Sequence, residues 1–328
     1  MKAIVWTAYG PPEVLQLQEL EKPVPEENEI LIRVRAATVT AGDCEMRGLK
    51  FPPYLRLPMR MFTGFRRPTR VKIIGQELAG EVEAIGEGVT QYKVGDRVFG
   101  SAGLGAGTYA EYICLPEVPG EMDGALAVKP ANVTFEEAAA VPLGGLEALH
   151  FLRQAHIQPG HRVLINGAGG SIGTFGVQLA KYYGAEVTAV DSAEKLEMLD
   201  SLGADHVVDY IREDFTRSGQ MYDVIFDVVG ASPYARSLRS LSKDGSYLIA
   251  NPRLSLVPRG WWTSRTSTKR VFLTTSSPNK EDLLFLKELV ETKVIKAVID
   301  RIYPLEETVD AHRYVESGVK KGNVVITV

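Results

Sequence analysis

Cysteine is scarce in this chain, which has only Cys44 and Cys114 among its 328 residues. Two cysteines exclude a disulfide framework, and they also exclude a structural zinc lobe that needs four. No run of 18 apolar residues occurs, so the sequence predicts no membrane span. Positive charge is not in excess, since the formal net charge is −4, and this argues against nucleic acid as a partner. The N-terminus enters a strand without a signal segment, so the protein is expected to be cytoplasmic.

The chain is long enough for two domains, and the pattern of predicted secondary structure changes near Pro130. Before that point, short β-like runs such as Glu29–Ala36 are separated by turn residues, which predicts a small, mostly antiparallel barrel. After it, strands and helices alternate, which predicts a doubly wound parallel sheet of the Rossmann type. The predicted fold class is therefore α/β, and the C-terminal segment is expected to return to the first domain. The predicted domains are residues 1–127 with 290–328, and residues 128–289.

A glycine-rich turn joins the predicted strand Arg162–Ile165 to a helix predicted over Ser171–Tyr183. Glycine in such a turn lets backbone amides approach a pyrophosphate, whose charge is favoured at the helix N-terminus. The spacing is that of a dinucleotide-binding turn with alanine at its first position. The alternative is a structural turn without a nucleotide. The predicted cofactor contacts in this region are Asn166, Ala168, Gly169, Gly170, Ser171, Ile172 and Gly173.

The next strand ends at Asp191, which is followed by Ser192 and, after two more residues, by Lys195. A carboxylate at this place accepts the ribose hydroxyls of NAD and repels the 2′-phosphate of NADP. Asp191 therefore favours NAD(H), whereas Lys195 is positioned to attract the 2′-phosphate of NADP(H). Ser192 is predicted to contact the cofactor as well. The structural alternative is that Asp191 caps a helix over Ala193–Leu202.

Several further motifs occur along the chain, namely Gly75–Gly80, Gly95–Val98, Gly107–Tyr112, Ala138–Leu146 and Leu202–Asp205. Together with the glycine-rich turn they resemble the medium-chain dehydrogenase/reductase superfamily over nearly the whole chain. The likeness is nearest to its zinc-independent quinone oxidoreductase branch. The resemblance implies a GroES-like barrel before the Rossmann domain, a nicotinamide cofactor, either NAD(H) or NADP(H), and a homodimer formed through the edge of the nucleotide domain.

The positions that hold a catalytic zinc in other members of this superfamily are changed here. Thr40 stands where the first cysteine ligand is found, and Gln76 stands where the histidine ligand is found. The five histidines, at positions 150, 156, 161, 206 and 312, are expected to lie outside the N-terminal domain. Asp43 and Cys44 could form one ligand pair, but a capping carboxylate beside a small buried side chain is the simpler interpretation. A catalytic zinc needs about three protein ligands, so we predict no metal.

The resemblance also implies further cofactor contacts. Glu147 replaces a threonine that members of the family commonly have near the nicotinamide, and its carboxylate could stabilise the oxidised ring or point away from it. Strand ends and the C-terminal region provide the remaining candidates, which are Val229, Asn251, Phe272 and Asn323. Each of these could instead be an ordinary turn residue.

Two basic segments lie outside these motifs, Arg56–Lys72 and Arg253–Arg270. The first is expected to be a loop that covers an apolar substrate, steers an anionic one or is plain surface. The second contains Trp261 and Trp262 outside any periodic element, which suggests a subunit interface or a lid. Together the two segments could also touch an anionic membrane surface, but neither is a clean amphipathic helix, so this alternative is not favoured.

The function implied is hydride transfer from NAD(P)H to a quinone, an α,β-unsaturated carbonyl or a related carbonyl. Without a metal, negative charge on the substrate oxygen needs hydrogen-bond donors, and Thr40, Tyr54 and Gln76 are the candidates. One alternative is an alcohol dehydrogenase or aldehyde reductase, which would need a Lewis acid or a strong proton donor. Another is a nucleotide-binding sensor or interaction protein without activity. The expected partner is a small carbonyl or quinone substrate.

Overall fold

The computed structural model describes residues 1–120, 124–230, 232–273 and 278–328. The strands are β1 Lys2–Trp6, β2 Leu15–Glu19, β3 Glu29–Val39, β4 Glu77–Ile85, β5 Arg97–Ser101, β6 Tyr112–Pro116, β7 Ala125–Val128, β8 Arg162–Asn166, β9 Glu186–Asp191, β10 His206–Asp209, β11 Tyr222–Asp227, β12 Leu241–Ile249, β13 Arg270–Phe272, β14 Ile299–Pro304 and β15 Asn323–Thr327. The α-helices are α1 Ala41–Gly48, α2 Pro53–Thr63, α3 Phe135–Ala139, α4 Pro142–Gln154, α5 Ser171–Tyr182, α6 Leu196–Ser201, α7 Tyr234–Arg239, α8 Leu256–Thr266, α9 Lys280–Glu291 and α10 Thr308–Glu316.

The chain forms two compact units, here called unit 1 and unit 2. Unit 1 consists of Met1–Leu143, Ser277–Glu291 and Ala297–Val328, and unit 2 consists of Gly144–Ser276 and Thr292–Lys296. The division differs from the predicted domain limits because α3 packs on β3 and β4, and α9 packs on β7. Both helices therefore belong to the unit that contains the antiparallel sheet.

Unit 1 is built on a mostly antiparallel seven-stranded sheet. Its strand order is β14-β15-β3-β4-β5-β7, with β6 paired to β3. Among the described strands of this sheet, only the β14–β15 pair is parallel, and β15 runs antiparallel to β3. The C-terminal strand therefore lies inside this sheet, next to a strand from the first forty residues. Long-range pairing of this kind encloses a core in which Trp6, Tyr109 and Val324 are all buried.

Unit 2 contains a six-stranded, all-parallel sheet in the order β10-β9-β8-β11-β12-β13. Buried strands read as nearly continuous apolar runs, as Val163–Ile165 does in β8. The chain moves outward from β8 to β10 and then returns to β11 on the other side of β8. Loops diverge at such a reversal, so ligands of open parallel sheets bind at the carboxyl ends of the strands beside it. The predicted fold class is confirmed.

Some local predictions are wrong. The first basic segment is not a loop throughout, since α2 covers Pro53–Thr63. The tryptophans Trp261 and Trp262 lie in the helix α8, not outside regular structure. Prolines and glycines inside both segments hid the helical periodicity. The apolar run Val271–Thr275 predicts a strand; β13 ends at Phe272, and residues 274–277 lie outside the described residues.

The helix predicted over Ala193–Leu202 is a short 3-10 turn followed by α6. The run Tyr222–Val229 predicts a strand over its whole length, whereas β11 ends at Asp227. Among the described residues, none of the helices combines the length and the apolar character that are needed to cross a membrane.

Candidate functional site

The glycine-rich turn follows β8 and is held by the neighbouring strand β9. The amides of Gly167 and Ala168 both donate to the carbonyl of Val190, over 3.0 and 3.1 Å. Gly167 has a φ of 84°, a conformation that side chains other than glycine rarely adopt. A Cβ atom on Gly173 would lie 2.3 Å from the Gly167 carbonyl oxygen, so α5 can begin this close to the turn only with glycine there. Two of the glycines are thus required by the shape of the turn.

The N-terminus of α5 meets the requirements of a pyrophosphate-binding site. Gly170 is its N-cap, in extended conformation and without a side chain to cap the helix. As in any helix, the amides of the first turn have no acceptor within the helix, and they attract an anion. A Cβ atom on Gly170 would meet nothing closer than the Gly167 carbonyl oxygen, at 3.8 Å. The residues present therefore fit the pyrophosphate of a dinucleotide.

Asp191 and Lys195 form a buried ion pair beside this turn. The Lys195 ammonium lies 3.1 Å from Oδ1 of Asp191, and both side chains are about nine-tenths buried. Oδ2 of Asp191 accepts a 2.8 Å hydrogen bond from the Gly169 amide, and Oδ1 accepts one from the Ser192 amide. The Asp191 carboxylate thus organises the turn. It also contacts Lys195, the residue predicted to favour NADP(H). The capping alternative is wrong, because Ser192 is the N-cap residue of the following turn.

A second carboxylate, Asp227, organises the carboxyl end of β11. It accepts hydrogen bonds from the side chains of Asn166 and Tyr247, over 2.9 and 3.1 Å, and from the amides of Gly230 and Ser232. Asp227 is only 1% exposed, so this set of donors compensates its buried charge. The network ties β8, β11 and β12 together at the reversal point of the sheet.

Two of the predicted cofactor contacts lie in loops that start at this edge. The exposed Val229 approaches the turn, since a Cβ atom on Gly167 would lie 2.5 Å from its Cγ2 atom. Asn251 follows β12, and its side-chain amide donates to the Val228 carbonyl over 3.0 Å. The structure therefore brings Val229 and Asn251 to the edge of the sheet at which the glycine-rich turn lies.

The remaining predicted cofactor contacts lie on a helix and on two strands. Phe272 is on the edge strand β13, separated from β8 by β11 and β12. Glu147 lies on α4, one turn after Gly144, whose Cβ would be 3.0 Å from the Ser171 carbonyl oxygen. Asn323 is in unit 1, where its side chain donates to the Val298 carbonyl.

Unit 1 holds the three predicted donors. The Thr40 hydroxyl accepts from the Asp43 amide, and the Thr40 amide donates to Oδ2 of Asp43, which makes the pair a capping box for α1. The Thr40 hydroxyl also donates to Oδ2 of Asp43 over 2.7 Å. Tyr54 lies on α2 and is 46% exposed. Gln76 is half-buried just before β4, and within the described residues its side-chain amide makes no hydrogen bond. The predicted interpretation of Asp43 as a capping carboxylate is confirmed.

Glu77, next to Gln76, was not singled out by the sequence analysis. It is 1% exposed, and its carboxylate accepts from the Thr38 hydroxyl and from the Leu143 amide at 2.7 Å. Burial raises the pKa of Glu77 to about 7, since desolvation outweighs these hydrogen bonds. Its partners lie 39 and 66 residues away, so no local pattern could have identified it.

His312 corrects the expectation that every histidine lies outside the first domain, because it is in unit 1. Its Nδ1 atom lies 3.3 Å from Sγ of Cys44. Burial raises the pKa of the Cys44 thiol to about 12 and lowers the pKa of His312 to about 3. Both groups are therefore neutral at pH 7, and the pair lacks the thiolate of a cysteine nucleophile. Among the described residues, no three His, Cys, Asp or Glu side chains gather as metal ligands would.

Comparisons with known proteins agree with this architecture. Residues 26–119 match the family described as Alcohol dehydrogenase GroES-like domain, and residues 202–326 match the one described as Zinc-binding dehydrogenase. The chain is 33% identical to the 2-methylene-furan-3-one reductase of Solanum lycopersicum, over 99% of this chain and 79% of that protein. It is 33% identical, with the same coverage, to the chloroplastic NADPH-dependent alkenal/one oxidoreductase of Arabidopsis thaliana.

A solved structure also matches along the whole chain. The quinone oxidoreductase from Coxiella burnetii has 30% sequence identity and a TM-score of 0.87, with 100% of this chain and 99% of that one covered. The GroES-like unit 1, the Rossmann unit 2 and these relatives define a class of nicotinamide-dependent oxidoreductases. The chain belongs to the medium-chain dehydrogenase/reductase superfamily, within its quinone and enone oxidoreductases.

Proposed function

We propose that this protein transfers a hydride from NAD(P)H to a quinone or to an α,β-unsaturated carbonyl compound. The observation that carries the proposal is the glycine-capped N-terminus of α5 behind the glycine-rich turn, which fits a pyrophosphate. The relatives that are named for reducing enones and quinones support the substrate class. The chain's own part is to bind and orient the dinucleotide through the N-terminus of α5 and the Asp191 carboxylate.

The bound nicotinamide supplies the hydride, and negative charge develops on the substrate oxygen. We propose that the chain meets this charge with a hydrogen bond, for which Thr40, Tyr54 and Gln76 are the candidates. Gln76 is the best placed in chemical terms, because its amide makes no other hydrogen bond within the described residues. Thr40 would first have to leave the carboxylate of Asp43.

We propose that the reaction needs no zinc. The donor set does not fit the metal, since an amide and a hydroxyl stand at Gln76 and Thr40, where zinc-dependent relatives have ligands. Dialysis against a chelator is therefore expected to leave turnover unchanged. Metal analysis by mass spectrometry of the same sample verifies that it contains no zinc. A loss of turnover that added Zn²⁺ restores would contradict this part of the proposal.

The finer assignments are proposals as well. We propose NAD(H) as the preferred cofactor because of the Asp191 carboxylate. We propose a homodimer on the resemblance alone, and we propose a cytoplasmic location. Light scattering of the eluting peak in size-exclusion chromatography measures the oligomeric state directly, and a monomer would contradict the second proposal.

The test of the main proposal is a fluorescence titration with NADH and NADPH, followed by addition of a quinone or an enone to the same samples. Tight binding followed by oxidation of the cofactor supports a reductase. Binding without turnover on a panel of quinones and enones would favour a sensor. No binding of either cofactor would overturn the proposal.

A further inference from the structure

Positive charge is concentrated in one stretch of unit 1, residues 46–76, here called the cationic stretch. It contains eight arginine and lysine residues and no acidic residue, although the chain as a whole carries a net charge of −4. Arg47 and Lys50 pair with Glu316. The other six form no ion pair among the described residues, and they are Arg56, Arg60, Arg66, Arg67, Arg70 and Lys72.

The helix α2 lies within this segment and exposes apolar side chains to solvent. Leu57 and Met61, one turn apart, are 56% and 63% exposed, and Phe65 just beyond the helix is 63% exposed. Tyr54 and Phe62 extend the same face, because residues three and four positions apart lie on one side of a helix. A surface helix normally turns its apolar face to the core, so α2 has the reverse arrangement.

The opposite side of α2 attaches the helix to unit 1. Met59 packs against a buried cluster that includes Trp6, and the buried Thr63 hydroxyl lies 2.5 Å from the Tyr9 hydroxyl. The Arg60 guanidinium lies 5.0 Å from the centre of the Tyr9 ring. These contacts fix the orientation of the helix, so the exposed face is a built feature of the fold.

The basic side chains surround the exposed face. The guanidinium groups of Arg60 and Arg70 donate to the carbonyls of Phe65 and Met61, each over 2.7 Å. Two of the positive charges are thereby held beside Met61 in the last turn of α2 and beside Phe65 just after the helix. Arg66 and Arg67 follow directly after Phe65 and are exposed.

We propose that the cationic stretch, including α2, binds the surface of a lipid bilayer that contains anionic lipids. A helix with an apolar face flanked by arginine and lysine lies in the headgroup region, with the apolar side chains inserted and the cations on the phosphates. The exposed apolar side chains of α2 match the acyl chains of such a surface, and the neighbouring arginines match its anionic headgroups. The sequence did not predict membrane contact because the prolines at positions 52, 53 and 58 conceal the helix.

The experiment is co-sedimentation of the 328-residue chain with vesicles, without cofactor or substrate. The vesicles consist of phosphatidylcholine alone or of phosphatidylcholine mixed with phosphatidylglycerol. We expect binding at least about tenfold tighter to the mixed vesicles, weakening as salt is added, because each basic residue near an anionic surface contributes about fivefold. Since no hydride transfer is involved, failure here leaves the proposed function untouched.

Two variants test the two components, and each has a matched control. Arg66→Gln with Arg67→Gln is expected to weaken binding at least about tenfold, whereas Lys93→Gln with Lys243→Gln removes the same charge elsewhere and has little effect. Leu57→Gln with Met61→Gln removes the apolar face, and Val94→Gln with Ile211→Gln replaces equally exposed apolar residues outside it. All of these side chains are exposed, so the variants are expected to fold.

Three results would overturn the proposal. One is no sedimentation with the mixed vesicles, and another is binding that the α2 variants leave unchanged. The third is self-association without vesicle binding. The protein would then self-associate as its concentration rises, and the variant Leu57→Gln with Met61→Gln would not. In that case a second copy of the chain covers the apolar face.

Discussion

Gly170 occupies the position at which the turn after β8 becomes the helix α5. Its φ of −88° and ψ of −179° are available to every residue, and a Cβ atom would have room. The backbone therefore does not require glycine here, unlike at Gly167 and Gly173. What glycine provides is access to the amides at the start of the helix.

Gly170→Asp separates folding from binding at this position. Aspartate is a favourable N-cap, so the free energy of unfolding should stay level or rise by a few tenths of a kcal/mol, roughly. Its carboxylate would occupy the first-turn amides and repel a pyrophosphate, and affinity for NADH and NADPH should fall about 100-fold. Isothermal titration calorimetry with both cofactors measures the loss. Gly170→Ala is the control and should bind within a few-fold of the parent, roughly; equal weakening in both variants would refute the charge argument.

The Asp191–Lys195 pair allows a test of cofactor choice. Removing the negative charge in Asp191→Asn is expected to lower NADH affinity about tenfold, because a charged hydrogen bond contributes about 1.5 kcal/mol or more. NADPH affinity should fall less or rise, since repulsion of the 2′-phosphate is removed. The ratio of the two dissociation constants is the readout, measured beside Lys195→Met. A parent that already prefers NADPH, and loses that preference in Lys195→Met, would show that Lys195 dominates.

Individual site residues can be predicted from the sequence where their determinants are local. The turn after β8 was predictable because its glycines are close together and satisfy a backbone geometry. The partners of Asp191 were not, because whether a carboxylate faces Gly169 or Lys195 depends on how the turn folds back. Glu77 and His312 escaped because their burial arises from residues far away in the chain.

The pair of helices α1 and α10 shows how one buried charge joins two elements. Arg47 on α1 is fully buried, and its guanidinium lies 2.6 Å from Oε1 of Glu316 at the end of α10. The exposed Lys50 contacts the same carboxylate oxygen. Of the three groups, Arg47 has the least access to water, so it depends most on its partner.

Glu316→Ala is expected to destabilise the protein by about 3 kcal/mol, because an unpaired buried charge remains in Arg47. Lys50→Ala removes a cation whose side chain is 59% exposed and should change stability by no more than about 0.5 kcal/mol. Urea denaturation followed by circular dichroism compares the two. If both substitutions had the same small effect, Arg47 would not depend on this carboxylate.

Helices and strands were predicted correctly where the spacing of apolar residues and the residues at the element ends indicate the same structure. The helix at Ser171 and the strands of unit 2 were predicted because apolar runs alternate with glycine-ended helices. α2 and α8 were not, since Pro58 in the former and Pro258 with Gly260 in the latter interrupt the pattern. Their helical state depends on packing against the rest of each unit, which local propensity does not contain.

At the scale of the whole molecule, two buried groups of unit 1 give stability an opposite dependence on pH. His312 has a folded pKa of about 3, below its usual 6.5, so the stability it provides is lost as pH falls between those values. Glu77 has a folded pKa of about 7, above its usual 4.5, so the stability it provides is lost as pH rises between those values. The two effects oppose each other in the overlapping range.

We expect the free energy of unfolding of Glu77→Gln to lack the decline between about pH 4.5 and pH 7, a change of about 3 kcal/mol at most. His312→Phe should be less sensitive to acid below about pH 6.5, whatever its stability at neutral pH. Denaturant titrations at a series of pH values give both slopes. Parallel curves for the parent and Glu77→Gln would show that Glu77 titrates normally.

The strand β15 has a consequence for the order in which the molecule forms. It lies between β14 and β3, and its partner β3 is complete by Val39, while its own residues begin at Asn323. At about 5–20 residues per second, a ribosome needs roughly fifteen seconds to a minute to synthesise the chain between them. Unit 2 is fully translated before β15 is synthesised, so it can fold first. During this time, the edge of β3 that pairs with β15 has no partner strand. A chaperone that shields such an edge during translation would therefore act on the N-terminal third of this protein.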